Sequence, residues 1–463
     1  MSEALKTPLD PANLREALTY YDSWLAFNQR YQRVPGVQAA VYAGDSIVFS
    51  GAYGRADVEN DVPLTEQHLF RIASHSKTFT GTAVLQLVEQ GRLRLDDRVS
   101  QHVTEIVGTA AGERTVRELL AHAGGITRDS DDANWWQLAK PFPDRDELLA
   151  VLRNEASAVI PENERFKYSN IGYGLLGLVV EAASGTPYNE YVQSAIVDKL
   201  GLSGLGPELD PKRLSEYAAG YSALAYADAR VPIEHVDTRA LASATGFFGN
   251  ARDLVTYFSA HLPGDDRLLS DKSKREMQHP LWTTGSDEKA RYGLGLSVTK
   301  VGDREVFGHG GGYPGHITRT LVDPEQRIVV SVLTNAIDGP AGQLAEGLFR
   351  LLDLAASKDR GDQDLTRFTG RFANLWGVAD VALLGGRLYA TDPTDANPAE
   401  EPQELEADGD TLRIISGNGY GSFGESYSYI FDADGEVASV SGAGGLTLHP
   451  IDKFTLPDRV TVR

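Results

Sequence analysis

Ser74 and Lys77 stand three residues apart in FRIASHSKTFTGTAVLQLVEQG, residues 70–91, where a helical pattern begins. Residues at i and i+3 are neighbours on a helix. A serine hydroxyl is a weak nucleophile until a base takes its proton, and a helix start favours the negative charge that then develops. Lys77 accepts a proton only as a neutral amine. Its ordinary pKa is ~10.4, so burial or a nearby cation has to lower it, or a second group has to take the proton. The pair also has an ordinary reading. Ser-x-x-Lys arises by chance, Ser76 fits an N-cap, and His75 is incidental.

Two further stretches bear on the choice. ERFKYSNIGYGLLGLVVEAASG (164–185) places Tyr168 and Asn170 just before a second helical pattern. A tyrosine hydroxyl there can relay a proton from Ser74 to a leaving group, and Asn170 can anchor a substrate amide. A plain helix start capped by Asn170 is the competing reading. VFGHGGGYPGH (306–316) is glycine-rich, which permits close backbone approach. A glycine N–H at a sheet edge can face an oxyanion, and the flanking His309 can bind a substrate carboxylate. A phosphate loop is excluded because the Gly-Lys-Ser/Thr ending and the following helix are missing.

The elements that must hold these residues are legible from periodicity. Residues 11–33 read as a helix, with Leu14, Leu18, Tyr21, Leu25 and Tyr31 near helical spacing. Residues 36–58 read as two strands around the turn AGDS. Helical patterns cover 76–90, closed by Gly91, then 114–122, 145–153, 171–184, 187–200 and 250–262, the last opened by Asn250 as N-cap. GLGLSV, EVFGHGGG, HITRTLV and RIVVSVLTN read as successive strands, with a turn at Asp323 and Pro324. An amphipathic helix, AGQLAEGLFRLLDLAASK, follows. The expected fold is α+β. An antiparallel sheet flanked by helices is built from residues 1–73 and 245–357, with a helical lobe at about 76–245 inserted between them. A polar linker at 358–364 leads to a small antiparallel β domain, barrel or sandwich, at 365–463. Its hairpin signals are Gly385-Gly386, Asp408-Gly409 and Asp434-Gly435. The acidic loop 391–410 reads as a solvated face.

Composition limits the partners. The chain of 463 residues is 41% hydrophobic and 24% charged, with a formal net charge of -21. Such acidity disfavours nucleic acid and anionic membrane surfaces. Cysteine is absent, which excludes thiol catalysis and cysteine metal sites. No run approaches the ~20 apolar residues of a membrane span, and the first residues show no basic segment followed by an apolar one. The expectation is a cytoplasmic protein without metal or cofactor. His309 and His316 are seven apart, but no carboxylate completes a ligand set by spacing. His122, in LLAHAGG, reads as a hydrogen-bonded core residue, and Trp135-Trp136 as packing.

Together, Ser74-x-x-Lys77, Tyr168-x-Asn170 and His309-x-Gly311 resemble, in order and spacing, the motifs of the penicillin-recognising serine hydrolases. The class C β-lactamase-like branch, with its DD-peptidases, D-aminopeptidases and esterases, is the most similar. TVRELLAHAGGIT, ATGFFGNARDLVTYF, YGLGLSV and VVSVLTN add to the resemblance, which covers roughly residues 30–355. It implies an acylated Ser74, with acid–base work shared by Lys77 and Tyr168. Asn170 would orient Lys77 and the substrate, and the N–H groups of Ser74 and Gly312 would form an oxyanion hole. His309 and Gly311 would meet the substrate, and Tyr313, apart from the resemblance, follows the oxyanion strand and can touch substrate. His309 stands where β-lactamases of this branch carry lysine, as in D-aminopeptidases and some DD-peptidases, which weakens the case for a β-lactamase. The β domain resembles the C-terminal barrels of D-aminopeptidases. Those enzymes carry two, whereas residues 365–463 allow one. The implied activity is hydrolysis of small amides or peptides, D-amino-acid-containing ones first, with carboxylic esters or acyl transfer as the alternative. A binding module that keeps the fold is the non-enzyme alternative. The glycine-rich segment 416–426 would narrow the active-site mouth and bring Glu425 to a substrate amine. The partner is then a small-molecule or peptide substrate, and a homo-oligomer is left open.

Overall fold

Two apolar strands that lie far apart in sequence close the main sheet. Gly36–Ala43 and Ile328–Thr334 are buried along nearly their whole length and pair antiparallel, from Val37 opposite Thr334 to Ala43 opposite Ile328. The computed structural model describes residues 9–285, 289–356, 363–417 and 422–460. Its contacts divide the chain into a unit Val34–Ala345 and a unit formed by Lys6–Arg33 with Glu346–Arg463.

In the first unit the sheet runs, edge to edge, Val62–Pro63, Ser46–Asp57, Gly36–Ala43, Ile328–Thr334, His316–Asp323, Arg304–Tyr313, Ser297–Val301, Arg291–Tyr292, Trp282–Thr283. Both edge strands are two residues long. The helix Ala251–Ser259 packs on the central strands. Asn250 caps it, its side chain accepting from the Asp253 N–H. The inserted lobe centres on two helices buried on almost every side, Ser76–Glu89 and Asn170–Ser184. Ser169 caps the second through the Gly172 N–H, and Gly185 ends it at φ +71°. A glycine accepts that left-handed conformation at little cost.

Several expected elements are shorter than the sequence pattern implies. Of residues 114–122 only Val116–Leu120 is helical, behind a Thr115–Glu118 capping box. Tyr188–Val192 passes into a π-turn at Gln193–Asp198. GLGLSV becomes a strand only at Ser297, because Gly295 turns the chain at φ +80°. The polar helix Asp271–Gln278 has little apolar signal and was not anticipated.

In the second unit, eight strands between Gly370 and Pro450 form a closed antiparallel barrel, closed where Ala373 pairs with His449. Phe368, Phe372, Leu388, Leu405, Leu412 and Ile414 fill its core. Gly385 and Gly386 make a hairpin at φ +63° and +76°, the backbone that such two-residue turns require. The helix Pro11–Tyr31 groups with this barrel rather than with the sheet unit. Tyr20 Oη lies 2.8 Å from Thr391 Oγ1, Asn28 Nδ2 donates to the Pro393 carbonyl at 3.3 Å, and the Arg371 guanidinium lies 4.4 Å over the Phe27 ring. The sequence reading placed this helix with residues 1–357. Helical periodicity identifies an apolar face but not what will cover it. Most of the 358–364 linker lies outside the described residues. Among the described residues, no helix is long and apolar enough to cross a membrane.

Candidate functional site

The strand Phe70–Arg71 runs into a single 3₁₀ turn, Ala73–His75, and then into the helix Ser76–Glu89. Buried Ala73 sits at φ +45°, a region that non-glycine residues seldom adopt. Surrounding bonds hold it there. The His75 N–H donates to the Ile72 carbonyl at 3.1 Å, and the Ile72 N–H to the Phe247 carbonyl at 3.0 Å. Ser76 does not cap the helix. Its hydroxyl donates back to the Ala73 carbonyl at 2.6 Å and accepts from the Phe247 N–H at 3.0 Å. The result is a fixed turn whose neighbours are buried, with Ser74 itself partly open.

One turn into the helix, Lys77 is fully buried. Its Nζ lies 3.1 Å from Ser74 Oγ, 2.8 Å from Asn170 Oδ1 and 2.8 Å from the Ala244 carbonyl oxygen. Tyr168 Oη donates to Ser74 Oγ at 2.9 Å. Loss of water pushes the Lys77 ammonium well below the ordinary lysine value. Asp129 opposes that shift and Arg128 adds to it. Burial pushes the Tyr168 phenol upward, against its bond to Ser74. Burial therefore favours an amine at Lys77 and an intact phenol at Tyr168, both in contact with one serine oxygen.

Asn170 opens its helix with its backbone N–H on the Arg128 carbonyl at 2.8 Å. Its Nδ2 donates to Asp129 Oδ1 at 2.7 Å, and the same oxygen accepts from Trp136 Nε1 at 2.9 Å. Arg128 Nε lies 3.2 Å from Asp129 Oδ2, and its guanidinium lies 5.1 Å over the Tyr168 ring. The glycine-rich strand Arg304–Tyr313 passes close to the serine turn. A Cβ on Gly311 would come 2.1 Å from the Ile72 carbonyl oxygen, so only glycine fits that crossing. Backbone groups alternate sides along an antiparallel ladder. Gly308 pairs with Ser297, the first residue of the neighbouring strand. Gly312 is an exposed position of its strand and lies beyond the end of that neighbouring strand.

A sequence model of the family described as Beta-lactamase matches residues 24–354. The chain belongs to the Beta-lactamase family. Members of this family are serine hydrolases: peptidases, amidases and β-lactamases. Penicillin-binding protein 4* of Bacillus subtilis is 29% identical over 316 residues, 65% of this chain and 68% of that protein. The octameric penicillin-binding protein homologue from Pyrococcus abyssi matches in structure at a TM-score of 0.66 and 23% identity, over 91% of this chain and 97% of that one. D-amino acid amidase from Ochrobactrum anthropi matches at 0.62 and 25% identity, over 74% of this chain and 99% of the other.

Within this Beta-lactamase-family unit, Ser74, Lys77, Tyr168 and Asn170 come together as their motifs suggest. His309 and Tyr313 are placed differently from the sequence reading. Strand alternation puts His309, Gly311 and Tyr313 on the buried side and Gly312 on the exposed one. The His309 Nδ1 donates to the Gly310 carbonyl at 2.6 Å, and its Nε2 meets Tyr292 Oη at 3.0 Å. Burial, with Lys77 and His75 nearby, holds its pKa well below the ordinary histidine value. A neutral ring with both nitrogens engaged is a poor anchor for a substrate carboxylate. Tyr313 is pinned by Val236, whose N–H and carbonyl both bond its hydroxyl at 3.0 Å. It lies under the Arg71 guanidinium at 4.5 Å and is 1% exposed, so it cannot touch a substrate in this arrangement.

His122 is a core residue, 4.2 Å from the Tyr168 ring, and its Nδ1 accepts from the Ser169 N–H. Trp135 packs against Phe142, whereas Trp136 holds Asp129. Glu425 is exposed and belongs to the barrel unit; residues 418–421 of its segment lie outside the described residues. Sequence reasoning missed Asp129, the Ala244 carbonyl and Tyr292. Ala244 and Tyr292 open the stretches ATGFFGNARDLVTYF and YGLGLSV, which carry the resemblance without giving either residue a role, whereas Asp129 lies in no quoted stretch; each reaches the site only through the fold.

Proposed function

We propose that this chain is a serine hydrolase that forms an acyl-enzyme on Ser74 and acts on small amides or peptides, D-amino-acid-containing ones first. The observation that carries the reading is the contact of buried Lys77 Nζ and Tyr168 Oη with the same Ser74 oxygen. A neutral amine at Lys77 has two N–H groups, for Asn170 Oδ1 and the Ala244 carbonyl, and one lone pair for the Ser74 O–H. Ser74 passes its proton to Lys77 as its oxygen bonds to the substrate carbonyl carbon. The N–H groups of Ser74 and Gly312 receive the oxyanion, an interaction worth several kcal/mol in such sites. Tyr168 gives its proton to the departing amine, which leaves a phenolate near the new ammonium. In deacylation the phenolate takes a proton from water and the hydroxide attacks the ester carbon. Ser74 Oγ then recovers its proton from Lys77, which restores the starting state.

Similarity to D-amino acid amidase supports the amide class. The internal engagement of His309 supports substrates without a carboxylate at that position, and it favours a second reading, hydrolysis of uncharged carboxylic esters. The test is a side-by-side assay of the protein and Ser74→Ala on short-chain p-nitrophenyl esters, D- and L-alanine p-nitroanilides and a chromogenic cephalosporin. Ser74-dependent turnover of the D-anilide is expected. Turnover of esters alone selects the second reading. Activity that survives Ser74→Ala, or a protein that neither turns over nor labels covalently at Ser74, overturns the proposal.

A further inference from the structure

We infer that Asp129 is a positioning residue of the site: its carboxylate, pinned by Trp136, fixes which end of the Asn170 amide faces Lys77. The inference rests on the proposed hydrolase reading and adds a residue to it. Asn170 presents an oxygen to Lys77 and an NH₂ to Asp129. The two ends have opposite hydrogen-bonding character, so one turn of the amide exchanges them. While Lys77 is an ammonium, it selects the oxygen by itself. Once Lys77 is a neutral amine, the form that can take the Ser74 proton, it can accept as well as donate and no longer chooses. Asp129 accepts hydrogen bonds and cannot tolerate the amide oxygen in its place. It therefore keeps the oxygen on Lys77 in the protonation state that the chemistry uses. With that oxygen and the Ala244 carbonyl occupying both amine hydrogens, the lone pair has one remaining neighbour, Ser74 Oγ.

The carboxylate is placed for this work. Asp129 is 8% exposed, and its Oδ1 takes both the Asn170 amide and the Trp136 indole N–H. The Arg128 carbonyl fixes the Asn170 backbone on the other side. Asp129 also acts through charge, since it favours the ammonium at Lys77. The other groups facing Lys77 differ in sign. Arg128 lies in the same loop and disfavours the ammonium. Lys77 and the buried imidazoles of His122 and His309 disfavour each other's charged forms. The Tyr168 and Tyr173 rings face Nζ at 4.8 and 5.4 Å.

The experiment compares the full-length protein with Asp129→Asn, Trp136→Phe and Asp129→Ala, using the Ser74-dependent ester or anilide as substrate. Asp129→Asn keeps the shape and removes the charge and the one-sided preference. Its kcat/KM is expected to fall on the order of 10- to 100-fold, the scale of one charged hydrogen bond. The fall should be mainly in kcat, and the acid limb of the pH profile should move to lower pH as Lys77 loses a stabilising anion. Trp136→Phe is expected to show a smaller loss with the limb unmoved, because the charge remains. Asp129→Ala is expected to lose most. Melting temperature and circular dichroism of each variant show whether it is folded. A folded Asp129→Asn with kcat/KM and acid limb as in the unmodified protein overturns the inference, as does a loss confined to KM. Should the unmodified protein itself neither turn over substrate nor label covalently at Ser74, the hydrolase reading fails first, a result distinct from either.

Discussion

Lys77 and Arg371 are both basic side chains taken out of water, one in each unit, and their surroundings are opposite in kind. Arg371 meets Asp380 at two atoms, Nε to Oδ1 at 2.8 Å and a terminal nitrogen to Oδ2 at 2.7 Å, with side chains 8% and 2% exposed. Lys77 is met by a hydroxyl, an amide oxygen and a backbone carbonyl, with the Asp129 carboxylate one residue further out. A paired guanidinium keeps its charge and serves the fold. An ammonium surrounded by neutral acceptors is driven toward the amine, which is unfavourable for stability and useful for chemistry.

That contrast can be tested from its strongest consequence downward. Lys77→Met should lower Ser74-dependent kcat/KM by about 10³-fold or more, while the protein melts at the same or a higher temperature. The stability difference should depend on pH in a fixed sense. The unfolded lysine binds its proton below ~10.4, and the buried one resists it. The cost of burying Lys77 is therefore absent above that pH and grows as pH falls toward its lowered value. Lys77→Met should gain little near pH 10 and most near neutrality, read from thermal melts at both. Activity of the unmodified protein should in turn fall as acid protonates Lys77.

Asp380→Ala tests the other cation. It leaves Arg371 buried and unpaired and should destabilise the barrel unit by about 3–5 kcal/mol in denaturant titrations. Turnover in native buffer should fall far less than in Lys77→Met. A large, selective loss of activity with little loss of stability would break the comparison. Gly311→Ala should cost about 1–3 kcal/mol and lower activity, because its methyl group meets the Ile72 carbonyl beside the serine turn. Tyr20→Phe, which removes the bond to Thr391, should cost about 1 kcal/mol and leave turnover unchanged.

How much of this was legible in the sequence follows the range of each interaction. Ser74 and Lys77 are one helical turn apart, and Tyr168 and Asn170 flank one helix start, so motif spacing carries them. The glycines of residues 308–312 announced close approach, and Gly311 makes it. Strand parity, which is also legible, would have separated Gly312 from His309 and Tyr313. The reading of the glycine-rich stretch as a substrate-facing sheet edge instead assigns both side chains to the substrate. Asp129 and Tyr292 lie in segments of weak periodicity and join the site only when loop and sheet are packed. The helix Pro11–Tyr31 was plain in its 3.6-residue period, but its grouping with the barrel depended on Thr391 and Pro393, more than 350 residues away.

The ends of the main sheet carry a consequence for association. Its edge strands are two residues each, one containing Pro63, which has no N–H to offer. The barrel closes on itself and leaves no edge at all. Val62–Pro63, however, pairs only with Arg55–Asp57 at one end of the 12-residue strand Ser46–Asp57, and among the described residues no strand of the sheet lies beside Ser46–Gly54 on that side. Extension of a sheet from one copy of the chain to another would therefore run along Ser46–Gly54 of the main sheet, whereas the closed barrel offers no such place.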